Sequence, residues 1–323
     1  MERMTLNGIY KLKYFDYDTF HIENVMCDNF FPNDWIDANV PEDVHTTLRR
    51  YGYLSGHYYD KDLDQERWID EKDWVYFRSF VADERLYGHA CTLCLEGVDT
   101  LARVWLNGTL LGTGQNMFRE YTFPVGDALL FGQENRLVIQ VLSPLGHTAS
   151  TSKKGIYPED DATRMLLRKS QMNWGWDFCG HCLTVGLWKS IYLKTCDEAA
   201  LSDASLTTET LDAKEAKLHL SCTVQNGSAE DEVEIKLSAK GVPVCIHRLT
   251  ADEARDFSFT LKEPRPWWPR PYGDPFLYDV CIRLLHGGAT VDKKEFHFGL
   301  RIVELQQNYE DGGRSFLFRI NYR

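Results

Sequence analysis

The chain has 323 residues, 43% hydrophobic and 26% charged, the balance of a soluble globular protein too long for one ordinary core and suited to two domains or so. A formal net charge of -12 repels phosphate, so nucleic acid and anionic membrane surfaces are excluded as partners, while a neutral substrate is not. The start, MERMTLNGIYKLKYFDYD, has no apolar core region or small-residue cleavage site, and no apolar run is long enough to span a bilayer. Nine cysteines, an odd number spread along the chain, do not make a disulfide framework and predict a reducing, cytoplasmic compartment.

The prevailing period is two, so the fold is expected to be mainly β. PEDVHTTLRRYG is the first helix signal, with Pro41 near the first helical position, acids in the first turn, arginines in the last and Gly52 as a stop. TLCLE and ARVWL follow as strands, and Asn107-Gly108 predicts a tight hairpin, since both turn positions need positive φ. RLVIQVLSP is a further strand, ATRMLLRKS a second, shorter helix, and GLWKSIYLKT another strand. The small, polar CDEAALSDAS then marks a boundary near residue 198.

Beyond it, AKLHLSCTVQNG places Leu218, Leu220, Cys222 and Val224 on one face and turns at Asn226-Gly227. VEIKLSAKG, FSFTLKEP, LYDVCIRLLHGG and EFHFGLRIVEL continue at short spacing. The prediction is a jelly-roll-like β-sandwich over 1–197 and an immunoglobulin-like β-sandwich over 198–300. The closing RSFLFRINYR reads as a strand that stops abruptly at Arg323, as though the chain were cut there.

Two CxxC pairs invite a metal or redox reading: Cys91-Cys94, preceded by His89, and Cys179-Cys182, flanking His181. Their separation is far wider than in a zinc ribbon, and Cys91 and Cys94 fall in an alternating strand that points them to opposite faces. CGHC is the tetrapeptide of protein disulfide isomerases, but that chemistry needs a helix beginning at the first cysteine, and LTVGLWKSIYL reads as turn then strand. The cysteines are therefore read as small apolar residues, and no metal or cofactor is expected.

NWGWD sets two indoles and one acid within five residues. Indole faces stack on the C–H faces of sugars, and a carboxylate accepts from two hydroxyls at once. A buried tryptophan pair with a capping Asp fits the same residues. One Asp does not run a glycosidase: retaining hydrolysis needs two carboxyl groups about 5–5.5 Å apart.

The stretch LRKSQMNWGWDFCGHCLTVGLWKSIYL resembles the RKxQxxWGWDWGP…TxGxW segment of the β-mannosidases of glycoside hydrolase family 2. VPEDVHTTLRRYG, WIDEKDWVYFRSF, LCLEGVDTLARVWLNGTLLG, PRPWWPRPYGDPFLYDV and HFGLRIVELQQNYEDGGRSFLFRIN resemble other family segments in the expected order, so the resemblance covers essentially the whole chain. It implies a sugar-binding sandwich, an immunoglobulin-like sandwich, and then a (β/α)₈ barrel that carries both catalytic glutamates. Residues 301–323 would be the truncated lead into that absent barrel, and the chain would hold no catalytic residue.

By position in the motif, Trp176 and Asp177 would be the substrate-binding pair, reaching into the glycone pocket formed with the chain's own barrel. Trp174, Arg168 and Gln171 match as supports of the loop. The implied substrate is a terminal β-mannoside or a related β-glycoside; a stand-alone carbohydrate-binding module is the alternative. Departures gather around the pair: Phe178 stands for Trp, Cys179-Gly180 for Gly-Pro, His181 for Arg, and Asp62-Leu63, ahead of Trp68, for the family's Asn-Glu.

Overall fold

The structure, a computed structural model, describes all residues except 1, 28, 56–61, 150, 153, 156–161, 178, 179, 197, 198 and 311. The chain divides into two compact units, Glu2–Cys196 and Asp197–Arg323. Among the described residues no helix is long and apolar enough to cross a membrane.

The first unit is a β-sandwich. Its larger sheet runs Ile36–Val40, Gly8–Asp16, Lys72–Val81, Glu134–Val141, Ala102–Leu106, Thr109–Gly114; its smaller sheet runs Arg3–Thr5, Ile191–Thr195, Cys91–Leu95, Tyr121–Pro124. All pairings are antiparallel. Tyr10, Leu12, Trp74, Tyr76, Leu137 and Ile139 of one sheet meet Leu93, Leu95 and Leu193 of the other in one core. The sequence WVYF is apolar at every position because this strand is buried on both faces: Trp74 and Tyr76 face the sandwich, while Val75 and Phe77 pack under Phe20, Val25 and Trp35.

The Asn107-Gly108 hairpin forms as expected, with φ of 51° and 83°. Other local expectations shift. The helix spans only Val44–Arg50, with Asp43 as its N-cap, its carboxylate accepting from Thr46 N at 3.0 Å. Pro41 and the acids lie outside it because Glu42–Asp43 pair as a short strand with Gly186–Leu187, which fixes their backbone extended. GLWKSIYLKT is therefore two strands, Gly186–Leu187 and Ile191–Thr195, in different sheets. ATRMLLRKS keeps one helical turn, Ala162–Met165; beyond it Leu167 enters the core and Arg168 bridges to Asn116.

The second unit stacks a three-stranded sheet (Ala200–Leu211, Glu215–Gln225, Phe257–Lys262) on a four-stranded one (Val242–Thr250, Asp231–Ala239, Tyr278–His286, Ala289–Phe298). Alternate residues Leu218, Leu220 and Cys222 meet Val233, Ile235, Leu237, Val280, Ile282 and Leu284. The three-plus-four arrangement is that of an immunoglobulin-type sandwich. Asn226-Gly227, unlike the first Asn-Gly pair, leads from one sheet to the other. The closing strand, Leu317–Ile320, pairs with Val303–Gln306. It ends before the chain does: Asn321 and Tyr322 turn with φ of 50° and 66°, and Asn321 Nδ2 donates to Trp267 O at 3.1 Å.

Candidate carbohydrate site

Residues 171–177 and 180–182 belong to a loop region of the first unit, and the geometry of its first half follows from one glycine. Gln171–Trp174 is a single 3₁₀ turn ended by Gly175 at φ 91°, ψ 142°, a conformation that costs any other residue strain. The reversal sends the two indoles opposite ways. Trp174 packs inward against Leu101, Leu142 and Leu167. Trp176 stands 52% exposed, with the Arg164 guanidinium 5.7 Å from its ring centroid, and Asp177 beside it is exposed. The two residues singled out as a sugar surface are thus side by side and open, and the buried tryptophan pair is not formed.

Beneath them the loop is held by a polar network. Asn173 Nδ2 donates to Thr184 Oγ1 at 2.8 Å, and Thr184 Oγ1 to Asp99 Oδ2 at 2.7 Å. Lys169 Nζ reaches both oxygens of Asp99 at 2.6 Å, and both side chains are nearly inaccessible. Burial pulls the Lys169 ammonium below its usual range, against the attraction of Asp99. Gln171 Nε2 donates to Arg164 O at 3.0 Å, and Arg168 O accepts from Met117 N at 3.0 Å. Gln171, Arg168 and Trp174 thus sit where supports of the loop would be.

His181 closes the loop. Its Nε2 lies 2.7 Å from Asp70 Oδ2 and its Nδ1 3.3 Å from Trp174 O. Both partners are oxygen acceptors. Asp70 is 2% exposed; burial pushes its carboxyl above the usual range, and the hydrogen bond from His181 opposes that shift. Asp70 is thereby committed to the loop's foundation and is no second acid for Asp177.

Cys91 and Cys94 are buried in the strand Cys91–Leu95; burial pushes the Cys94 thiol up to about 11. Cys179 lies outside the described residues, so the CGHC pair is seen only through Cys182, whose thiol burial also pushes up to about 11. That is opposite to the shift a redox dithiol needs. No helix follows; residues 180–185 run irregularly into the strand Gly186–Leu187. The departures from the family pattern also meet in space, since the Leu63 side chain lies directly over Gly180.

Two domain descriptions match this chain: "glycosyl hydrolase 2 galactose-binding domain-like" over residues 20–189 and "glycosyl hydrolases family 2" over residues 198–301. The chain belongs to glycoside hydrolase family 2. It is 31% identical over 298 residues to β-mannosidase B of Aspergillus terreus, covering 88% of this chain and 34% of that protein. β-Mannosidase B of Thermothelomyces thermophilus is likewise 31% identical over 296 residues, covering 88% and 34%. The chain thus spans about a third of the length of the curated relatives it matches. Among solved structures, the β-D-mannosidase of Dictyoglomus thermophilum superposes with a TM-score of 0.84 at 30% identity, covering all of this chain and 39% of that one. The β-glucuronidase of Bifidobacterium dentium, at 22% identity and a TM-score of 0.66 over 99% of this chain and 50% of its own, shares the fold.

Three features of the site escaped sequence reasoning. Arg164 over Trp176 lies twelve positions upstream, ahead of the family-like segment that begins at Leu167. The Asp70–His181 and Asp99–Lys169 pairs join residues far apart in the chain; Asp99 and Lys169 stood inside recognised motifs, but nothing in those motifs says they touch.

Proposed function

We propose that this chain is the non-catalytic, sugar-contacting N-terminal part of a retaining β-glycosidase that releases terminal β-linked mannose. Trp176 would wall the glycone pocket and Asp177 would accept hydrogen bonds from sugar hydroxyls. Both catalytic carboxylates would belong to a (β/α)₈ barrel beyond residue 323. The observation that carries this reading is the exposed Trp176-Asp177 pair on a loop anchored by the buried Lys169–Asp99 ion pair and the His181–Asp70 hydrogen bond: a rigid aromatic wall next to an open carboxylate is what a sugar ring needs. The β-mannosidases among its relatives favour mannose as the glycone.

Purified 323-residue chain is expected to show no turnover of an aryl β-mannoside; measurable hydrolysis would refute the proposal. In the enzyme carrying the barrel, Asp177→Ala is expected to lower kcat/KM at least ~10-fold, the equivalent of one charged hydrogen bond at about 1.5–3 kcal/mol. An unchanged kcat/KM would remove Asp177 from the site. Saturable heat on titrating the isolated chain with manno-oligosaccharides would favour a free-standing binding module instead.

A further inference from the structure

One cluster of the first unit has no place in the sugar loop's support. His45, on the inner face of the helix Val44–Arg50, Glu66, just ahead of Trp68, and Cys182, at the end of the loop, bring one imidazole nitrogen, one carboxylate oxygen and one thiol sulfur within 4.8 Å of one another. His45 and Glu66 are 2% and 5% exposed, and Cys182 is a free, half-buried thiol.

Two details point to a ligand. His45 is buried, yet among the described residues its Nδ1 has no hydrogen-bond partner; the Asp43 carboxylate is 3.9 Å away. A buried polar nitrogen is ordinarily satisfied by protein, water or a metal. Glu66, for its part, is already oriented. Its Oε2 accepts from Arg49 Nη2 at 2.7 Å, the kind of outer contact that fixes a ligating carboxylate.

We propose that His45, Glu66 and Cys182 bind a zinc ion as a three-residue site, with a water or a further donor completing the tetrahedron. Nitrogen, sulfur and carboxylate donors together suit zinc better than the hard cations, which take oxygen alone. Bonds of about 2.0–2.3 Å set ligand-to-ligand edges of roughly 3.4–3.6 Å, so the side chains need to close by no more than about 1.3 Å on binding. The thiol gives its proton to solvent as the zinc–sulfur bond forms, and no electron is transferred. One ion would then tie the end of the Trp176-Asp177 loop to the helix and to the segment before Trp68. The ion would position the loop and not take part in catalysis.

Cobalt(II) is the probe, because a thiolate ligand gives it a strong near-ultraviolet charge-transfer band. The chelator-stripped chain is expected to develop that band at one equivalent of cobalt and to lose it on adding zinc. Cys182→Ser should abolish the band, and Glu66→Gln should weaken binding at least ~10-fold. In hydrogen exchange, zinc should slow the amides of residues 173–177 and 180–182 in the wild type alone. Failure of the wild type to take up one equivalent overturns the site, as does a Cys182→Ser variant with an undiminished band. Should Cys182→Ser fail to fold, the wild-type stoichiometry and the Glu66→Gln affinity decide the matter.

Discussion

Lys169 and Asp99 illustrate what a buried charge costs and what it secures. Both are stripped of water, and the pair persists because each satisfies the other and Thr184 adds a further hydrogen bond. Lys169→Met leaves Asp99 buried without its cation, and a loss of about 3–5 kcal/mol in chemical denaturation is expected; a loss under ~1 kcal/mol would show that water takes the lysine's place. Asp70 carries a pH signature. Its folded carboxyl is raised, so its contribution to stability is full below the unfolded value of about 3.9 and is lost as pH rises through the folded one. At neutral pH the ionised group depends on His181. His181→Ala should therefore cost about 2 kcal/mol near pH 7 and much less near pH 4. Equal losses at the two pH values would contradict the pairing.

At the scale of elements, the strand Asp231–Ala239 is central to its sheet and carries a charge into it. Glu234 is 4% exposed. It accepts from Arg283 and, at 2.9 Å, from Arg248 Nε, on the two strands that flank it. The hydrogen bond from Arg283 is the main force holding its carboxyl below the usual range. The sign is opposite to that of Asp70: the stability is present above the unfolded value of about 4.3 and is lost as pH falls through the lowered one. Both arginines are substantially exposed, so solvent screening reduces the gain, and Glu234→Gln is expected to cost about 1–2 kcal/mol at neutral pH. The acid limb of the stability profile should flatten in the same variant; an unaltered limb would assign it to other carboxylates.

At the scale of the molecule, each unit has a core of its own. Among the described residues, the apolar cluster of the second sandwich, from Leu201 to Leu300, is drawn from the second unit, so that core is the second unit's own. Residues 199–323 expressed alone are expected to unfold in a single cooperative transition on heating. A broad, non-cooperative melt would mean that the second core is not self-sufficient.

Strand placement, the Asn107-Gly108 hairpin and the two-sandwich character were legible in the sequence, because period-two alternation and turn chemistry are properties of a few adjacent residues. The directions of the two indoles of WGWD were not legible: the motif alone fitted both a sugar surface and a buried pair, and the backbone reversal at Gly175 separates them. Tertiary structure decided what neighbouring residues do not encode. Glu42 and Asp43 look helical in isolation but are claimed by a strand partner 140-odd positions away. The two Asn-Gly pairs are locally alike, yet one closes a hairpin and the other changes sheets, because the partner of the next strand is chosen by burial. Cys182 was weighed against Cys179, its neighbour in sequence, whereas folding sets it beside His45 and Glu66. Ion pairs and ligand clusters depend on which side chains share a volume, and that follows from packing, to which sequence distance is no guide.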